Sequence, residues 1–347
     1  MSHADTPHVL SWGAVTAVGV DAPSSAASIR AGIAGMGEHP TLLDRSGEPV
    51  VVASAPTLDP DFDRPGRVGT LAAHAAAEAL AALDGIERTG LHVFVGVAEP
   101  RPGRPQNIGS EVRRALQSLL PDAGKIAVYE EGNAAGFVAL EHGLAALRAD
   151  RSVCLVGGVD SLLATETLAW LESGNQLHSP TNGWGLCPGE AAGFCILGSE
   201  GIAQRLDTRP GVRVLAVATA NEPNRIKTNT VCVGAGLTDV LRDVVARVPT
   251  GQTLRHVICD MNGEPYRADE FGFAMLRTSP HFDPVADFET PADCWGDVGA
   301  ASLPLFLILK CEAVRRSYAE EQLTLLLGSS ENGRRGAAVV ERTYGDH

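Results

Sequence analysis

Glu131-Gly132-Asn133-Ala134-Ala135-Gly136 leads from a loop into the alanine-rich amphipathic run Phe137-Val138-Ala139-Leu140-Glu141-His142-Gly143-Leu144-Ala145-Ala146-Leu147. A helix N-terminus carries partial positive charge, which lowers the pKa of a thiol placed there and makes it a seat for a nucleophile. The residue in that seat is Asn133, and an amide is neither nucleophile, acid nor base at neutral pH. Asn133 is expected to cap the helix, its side-chain oxygen accepting from the first free N–H groups, or to bind a substrate through its amide. Glu130 and Glu131 bring two negative charges to the same place; they would raise the pKa of a neighbouring thiol.

Other groups with chemical potential are scattered. Asn262 precedes Gly263 and Glu264 and reads as a tight turn or as a polar group lining a pocket. Asp297, next to Gly296, reads as a helix cap and dipole partner or as a carboxylate with a chemical role, which Glu264 could share. Cys187 and Cys294 are candidate nucleophiles, but neither has a histidine near it in sequence. The seven cysteines are odd in number, none is spaced CxxC, and several lie in apolar runs such as Gly193-Phe194-Cys195-Ile196-Leu197. They are expected as buried reduced thiols, and neither a metal nor a cofactor is expected.

The elements that must position these residues alternate. Val9–Gly19 reads as a strand with a glycine turn, Pro23–Ala31 as a helix, and residues 38–66 as a surface excursion with a short strand at Val50–Ala53. Val68–Leu83 is helical, His92–Val97 a central buried strand, 99–108 a loop and Ser110–Leu120 a helix. After the Asn133 helix come strand Val153–Gly157, helix Leu162–Ser173, the loop His178–Glu190 and strand Ala192–Leu197. The alternation predicts an α/β protein with a largely parallel sheet. The pattern then repeats: Val212–Ala218, Leu237–Val248, a strand from His256, helix Gly299–Arg315, Leu323–Gly328 and Ala337–Val340 follow in the same order. The period is roughly 165–175 residues, which implies two similar halves with a shared site where they meet. Those halves are expected at residues 1–205 and 206–347.

Composition sets limits. The 347 residues are 44% hydrophobic and 20% charged, as in an ordinary globular protein. A net charge of −14 argues against a nucleic-acid surface, which needs a basic stripe. Met1–Pro7 lacks the basic-then-apolar layout of a signal peptide, and the longest apolar stretch, around Ala300–Leu309, is too short to span a bilayer. The expected location is cytoplasmic, with no membrane partner.

The repeat and four local patterns resemble the β-ketoacyl synthases of the thiolase-fold superfamily. Gly13-Ala14-Val15-Thr16-Ala17-Val18-Gly19 is similar to the family's Gly-x-Val-Thr-Pro-x-Gly opening. The most specific match is Trp184-Gly185-Leu186-Cys187-Pro188-Gly189-Glu190-Ala191-Ala192-Gly193, which resembles Gly-Phe-x-x-Gly-Glu-Gly-Ala-Gly. Asp297-Val298-Gly299-Ala300-Ala301 resembles the Gly-His-x-x-Gly-Ala-Ala-Gly segment, and Ser329-Ser330-Glu331-Asn332-Gly333 falls on the family's last glycine-rich loop. The resemblance implies a thiolase-like fold: duplicated βαβαβ halves in a layered α-β-α-β-α sandwich. It also matches Glu190 and Asp269 to acidic positions with structural hydrogen-bonding roles.

The family's condensation uses a cysteine that takes the acyl group as a thioester and two histidines that polarise the second thioester. Position by position, the cysteine falls on Asn133, one histidine on Asn262, and the other on Gly296 or, with a one-residue gap, Asp297; the lysine before it falls near Pro291. All are lost. The resemblance therefore implies a degenerate synthase homologue that acts by binding, as scaffold, adaptor, chaperone or non-acylating partner subunit. Its expected partners are a second copy of itself or a synthase homologue in a dimer, and an acyl carrier protein or another protein client. Asn133, Asn262, Glu264, Asp297 and Ser330 are its candidate binding residues. The alternative is an acyl-thioester enzyme with altered residues, among which Asp297 is the candidate catalytic group.

Overall fold

The computed structural model describes residues 6–82, 85, 87–149, 153–206 and 211–343. The N-terminal residues 1–5, and the expected helix end at Leu83, lie outside them. The first half runs β1 (His8–Val15), α1 (Ala22–Arg30), the hairpin β2 (Gly37–Leu43) and β3 (Pro49–Val52), α2 (Arg67–Ala81), β4 (His92–Val97) and α3 (Ile108–Leu119). It continues through β5 (Ile126–Glu130), α4 (Ala135–Arg148), β6 (Val153–Ser161), α5 (Thr165–Ser173) and β7 (Glu190–Gly198) to the short α6 (Glu200–Arg205). The second half runs β8 (Val212–Asn221), α7 (Ala235–Val245), β9 (Leu254–Cys259), α8 (Pro265–Thr278) and β10 (Phe282–Glu289). The one-turn α9 (Ala292–Trp295), α10 (Ser302–Arg315), β11 (Leu323–Ser329) and β12 (Arg334–Arg342) complete it.

The strand order is β10-β9-β11-β12-β8-β1-β7-β6-β4-β5. Outward from the β1/β8 seam, β1-β7-β6-β4-β5 matches β8-β12-β11-β9-β10 strand for strand. Directions match too: β6, β4 and β5 are mutually parallel with β7 antiparallel to β6, and β11, β9 and β10 repeat this with β12. The seam itself is a single paired position, His8 with Arg213, so the sheet folds there into two faces rather than continuing flat.

Helices α4 and α10 fill the space between those faces. Phe137 and Leu140 of α4 and Leu303 to Leu309 of α10 share one core with Phe94 and Val156 from one half and Ile258 and Leu326 from the other. Outer helices cover the far faces: α2 and α3 pack on the first half through Leu71, Ala75, Ala79 and Val112, and α7 packs on the second through Leu237, Val240 and Val244. The result is the five-layer α-β-α-β-α sandwich. The apolar stretch at Ala300–Leu309 finds its use here, since α10 is buried from Ser302 through Glu312 and must be hydrophobic all round. Close crossing of the central helices depends on Gly136, where a Cβ would lie 2.9 Å from Leu303 Cβ and 3.0 Å from Pro304 Cδ. Among the described residues, no helix is long and apolar enough to cross a membrane.

Strands β2, β5 and β10 and helix α8 were not expected from sequence. The two edge strands explain why: β5 has five residues and β10 carries Pro284 and three acidic side chains, the usual features of a protected edge.

Candidate functional site

Asn133, Asn262 and Asp297, far apart in sequence, meet where the halves join. Asn133 arrives on a 3-10 turn, Gly132–Ala134, placed before α4. Asn262 lies on the β9–α8 connection, where its Oδ1 accepts from Glu264 N at 3.1 Å and closes the expected turn. Asp297 follows α9. Of the two aligned candidates it is Asp297, not Gly296, whose side chain joins the group. Gly296 sits at φ 74°, and a Cβ there would lie 2.8 Å from Cys187 O and 3.0 Å from Ala53 Cβ. No side chain fits that position.

Asp297 is the hub. Its Oδ1 accepts from Asn133 Nδ2 at 3.2 Å and Gly299 N at 2.9 Å, and its Oδ2 accepts from Asn262 Nδ2 at 2.7 Å. Arg267 Nη2 lies 4.0 Å from Oδ2. Asp297 meets the Gly299 N–H of the 3-10 turn before α10, but neither that turn nor α10 has a side-chain cap, so the cap readings of Asp297 and Asn133 both need correction. Helix α4 starts at Ala135 without a side-chain cap, and the Asn133 amide donates to a buried carboxylate instead of accepting from the helix. The free N–H of Ala134 goes to Ser330 Oγ at 2.7 Å.

That bond also corrects the reading of Ser330 as a binding residue. Its hydroxyl accepts from Ala134 N and donates to Glu131 O at 2.5 Å, so it ties the last loop to the entrance of α4 and is absent from the cavity wall. Glu264 likewise faces protein: Gln176 Nε2 donates to it at 3.1 Å, Asn262 Nδ2 at 3.2 Å, and Arg267 Nε stands 3.5 Å away. Asp269, expected in a structural hydrogen-bonding role, is exposed; α8 buries Arg267, Glu270, Ala274 and Thr278 on one helical face, so the buried acid is Glu270. Glu190 does have the structural role. It is 0% exposed and accepts from Arg67 Nη2 at 2.6 Å, Arg67 Nε at 2.7 Å, Ala55 N at 2.9 Å and Ser161 Oγ at 3.0 Å.

Asn133 and Asp297 open onto a cavity of about 210 Å³. Its other polar walls were not singled out from sequence: Glu99 and Arg101 from the loop after β4, Asp160 of β6, Arg267 of α8, and Glu331 with Asn332 from the last loop. Trp170, Leu171 and Leu186 supply the apolar wall. Both guanidiniums are already engaged, Arg101 with Asp160 at 2.6 Å and Arg267 with Asp260 at 3.0 Å. Glu99 accepts from Asn332 N at 2.9 Å and Glu331 N at 3.2 Å. Burial pushes its carboxyl above the usual carboxylate range, and the Glu331 charge adds to this against those backbone bonds.

Both candidate thiols are pushed up from the usual thiol range. Burial, with Asp297 nearby, pushes Cys187 up to about 12, and burial with Asp293 and Glu289 raises Cys294. Cys187 donates to Val51 O at 3.7 Å, away from the cavity. His142 stacks on Tyr129 with ring centroids 4.8 Å apart and takes no part in the site.

No protein-family model matches the chain, and no curated protein matches it either. Solved structures do. The ishigamide ketosynthase/chain length factor is 18% identical with a TM-score of 0.74, over 98% of this chain and 100% of that one. A chain of the type II PKS acyl-carrier protein in complex with its ketosynthase bound to the hexaketide is 13% identical with a TM-score of 0.80, over 98% and 99%. The ketosynthase from module 6 of the bacillaene synthase of Bacillus subtilis 168 is 13% identical with a TM-score of 0.80, over 98% of this chain and 72% of that one. The fold is therefore the thiolase type of the ketosynthases.

Proposed function

We propose that this chain is a thiolase-fold binding protein that performs no condensation and acts as a scaffold, adaptor or chaperone, or as the non-acylating subunit beside an active synthase homologue. One observation carries the reading: Asn133 and Asn262 both donate to Asp297, and the three bring neither a thiol nor an imidazole to the point where they meet. Asp297 has both oxygens occupied by donors and is poorly placed to take a proton. Electrostatics supports the same reading. An extender carboxylate entering the cavity would meet Glu99, Asp297 and Glu331, while Arg101 and Arg267 already answer Asp160 and Asp260. Stabilising a developing oxyanion needs free donors aimed at it.

The cavity, about 210 Å³, is smaller than the roughly 300–1,000 Å³ of most small-molecule sites, which suits the end of a chain or a side chain of a client more than a complete acyl substrate. Partners follow by fold-level analogy. A ketosynthase/chain length factor and an acyl-carrier protein complex are among the similar structures, so a synthase homologue, a second copy of this chain and an acyl carrier protein come first. The cavity then lies between the halves 1–205 and 206–347 of the repeat.

The competing reading, an acyl-thioester enzyme with changed residues, draws on Glu99. Its raised carboxyl lines the same cavity as Asp297, as a general acid would. Incubation with acyl- and malonyl-thioesters, following intact mass and released carbon dioxide, separates the two. The binding reading expects no adduct and no release above a heat-killed control. An adduct, or release that is lost in Asp297→Asn or Glu99→Gln, would establish the enzyme instead.

A further inference from the structure

A second polar cluster lies in the C-terminal half, away from the cavity. Glu222 follows β8, Cys232 sits on the loop before α7, and Glu270 belongs to the buried face of α8. A carboxylate oxygen from each glutamate and the Cys232 sulfur all lie within 4.8 Å of one another. Both acids are removed from water, Glu222 at 3% and Glu270 at 1% exposure.

Their hydrogen bonds leave a specific gap. Glu222 accepts from the backbone at Asn224 N, 3.1 Å, and Gly236 N, 2.7 Å, and forms no ion pair among the described residues. Glu270 Oε1 accepts from Arg335 Nε at 2.5 Å. Its other oxygen, Oε2, is buried and has no hydrogen-bond partner among the described residues. Two buried carboxylates therefore converge on a thiol, one guanidinium answers them, and one carboxylate oxygen is left open. Buried charge without a partner is costly, and a cation with room for oxygen and sulfur ligands supplies the missing partner.

We propose that Glu222, Cys232 and Glu270 bind a divalent transition-metal ion of the zinc type. The donor set selects the class: calcium and magnesium take oxygen ligands alone, whereas a thiolate beside carboxylates suits zinc or cobalt. With three protein ligands, the fourth tetrahedral position falls to water. Zinc holds oxygen at about 2.0–2.2 Å and sulfur at about 2.3 Å, so the three ligand atoms draw inward on binding. Cys232 supplies the movement, because it lies on the loop next to Val231, which is 78% exposed. Binding breaks the S–H bond and forms a sulfur–metal bond, and the proton leaves to solvent; nothing is oxidised or reduced.

Spacing in the sequence hides this site, since its ligands come from three separate segments and form none of the usual cysteine–histidine patterns. It also touches the cavity indirectly. Arg335, which holds Glu270, donates from Nη1 to Ser330 O at 2.6 Å, and Ser330 Oγ receives Ala134 N beside Asn133. A metal that draws on Glu270 thus acts on the arginine bracing the loop over the candidate site. The assignment stands independently of the functional reading above.

The test uses the full-length protein, stripped with a chelator and titrated with Co²⁺ while absorption is recorded, then with Zn²⁺ in competition. One Co²⁺ per chain with a thiolate-to-cobalt charge-transfer band is expected, and Zn²⁺ should displace it. Cys232→Ser should remove the band while leaving the metal-free melting temperature near that of the parent. Glu222→Gln should keep the band but weaken binding by at least about tenfold. Absence of the band, its survival in Cys232→Ser, or unchanged affinity in both Glu222→Gln and Glu270→Gln would each overturn the proposal. The last outcome would mean a lone thiol binding metal without the carboxylates.

Discussion

Replacing Asp297 by asparagine distinguishes a closed acceptor hub from a working acid–base group. The carboxylate is 6% exposed and accepts on both oxygens, from Asn133 and Gly299 on one and Asn262 on the other. An amide has the same shape but one accepting oxygen. Whichever way it is placed, its NH2 faces a donor, either Asn262 Nδ2 or the pair at Asn133 and Gly299. Asn262 cannot turn its oxygen to meet that NH2 without releasing Glu264 N, held at 3.1 Å. One hydrogen bond to a charged group, worth about 1.5–3 kcal/mol, is lost, and a buried donor left unpaired costs about 1–3 kcal/mol. Relief of the repulsion between Asp297 and the other carboxylates at the cavity offsets part of this. The expected net destabilisation is about 2–4 kcal/mol, read as an earlier urea transition. Thioester turnover should stay at the background level of the parent. Parent-like stability together with loss of a thioester activity present in the parent would refute the reasoning, because Asp297 would then act on substrate and not on its neighbours.

Three further outcomes follow from buried groups. Arg67→Ala leaves Glu190, at 0% exposure, without its guanidinium, and breaking such a pair from one side should cost about 3–5 kcal/mol, measurable by chemical denaturation; a loss below about 1 kcal/mol, as for a surface pair, would contradict it. Burial pushes the Lys310 ammonium down from 10.5 to about 8, so the folded state penalises the charged form, and stability from this group should rise as pH climbs from about 8 towards 10.5. Lys310→Met should therefore melt higher than the parent at pH 7 and lose that advantage above pH 10; an advantage independent of pH would point to packing instead. Alkylation of the native protein at pH 8, followed by peptide mapping, should modify half-buried Cys232 first and Cys187 late, since burial holds the Cys187 thiol at about 12. Faster reaction at Cys187 would revive it as a displaced nucleophile.

The duplicated fold and the identities of the three convergent residues were legible in the sequence. Buried strands such as Val153–Ser161 and Glu190–Gly198 are apolar runs bounded by turns, and the order of the strongest elements recurs in both halves, so local pattern carried the element order and the duplication. The layered sandwich came from the family resemblance, and the sheet expected as largely parallel is mixed, with β1, β7, β8 and β12 joined by antiparallel pairings. Edge strands β5 and β10 and the mixed-polarity helix α8 were not legible, because half-exposed elements lack that contrast. What the site residues do was decided by tertiary structure. Asn133 and Asp297 are separated by 164 positions and Asn262 and Asp297 by 35, and no spacing rule links residues brought together by the meeting of two halves. An asparagine before a helix suggests a cap from its local context; the buried carboxylate that claims its amide comes from the other half of the chain. The same holds for Glu270, which sequence passed over in favour of Asp269: the helix phase that buries one and exposes the other is set by what α8 packs against.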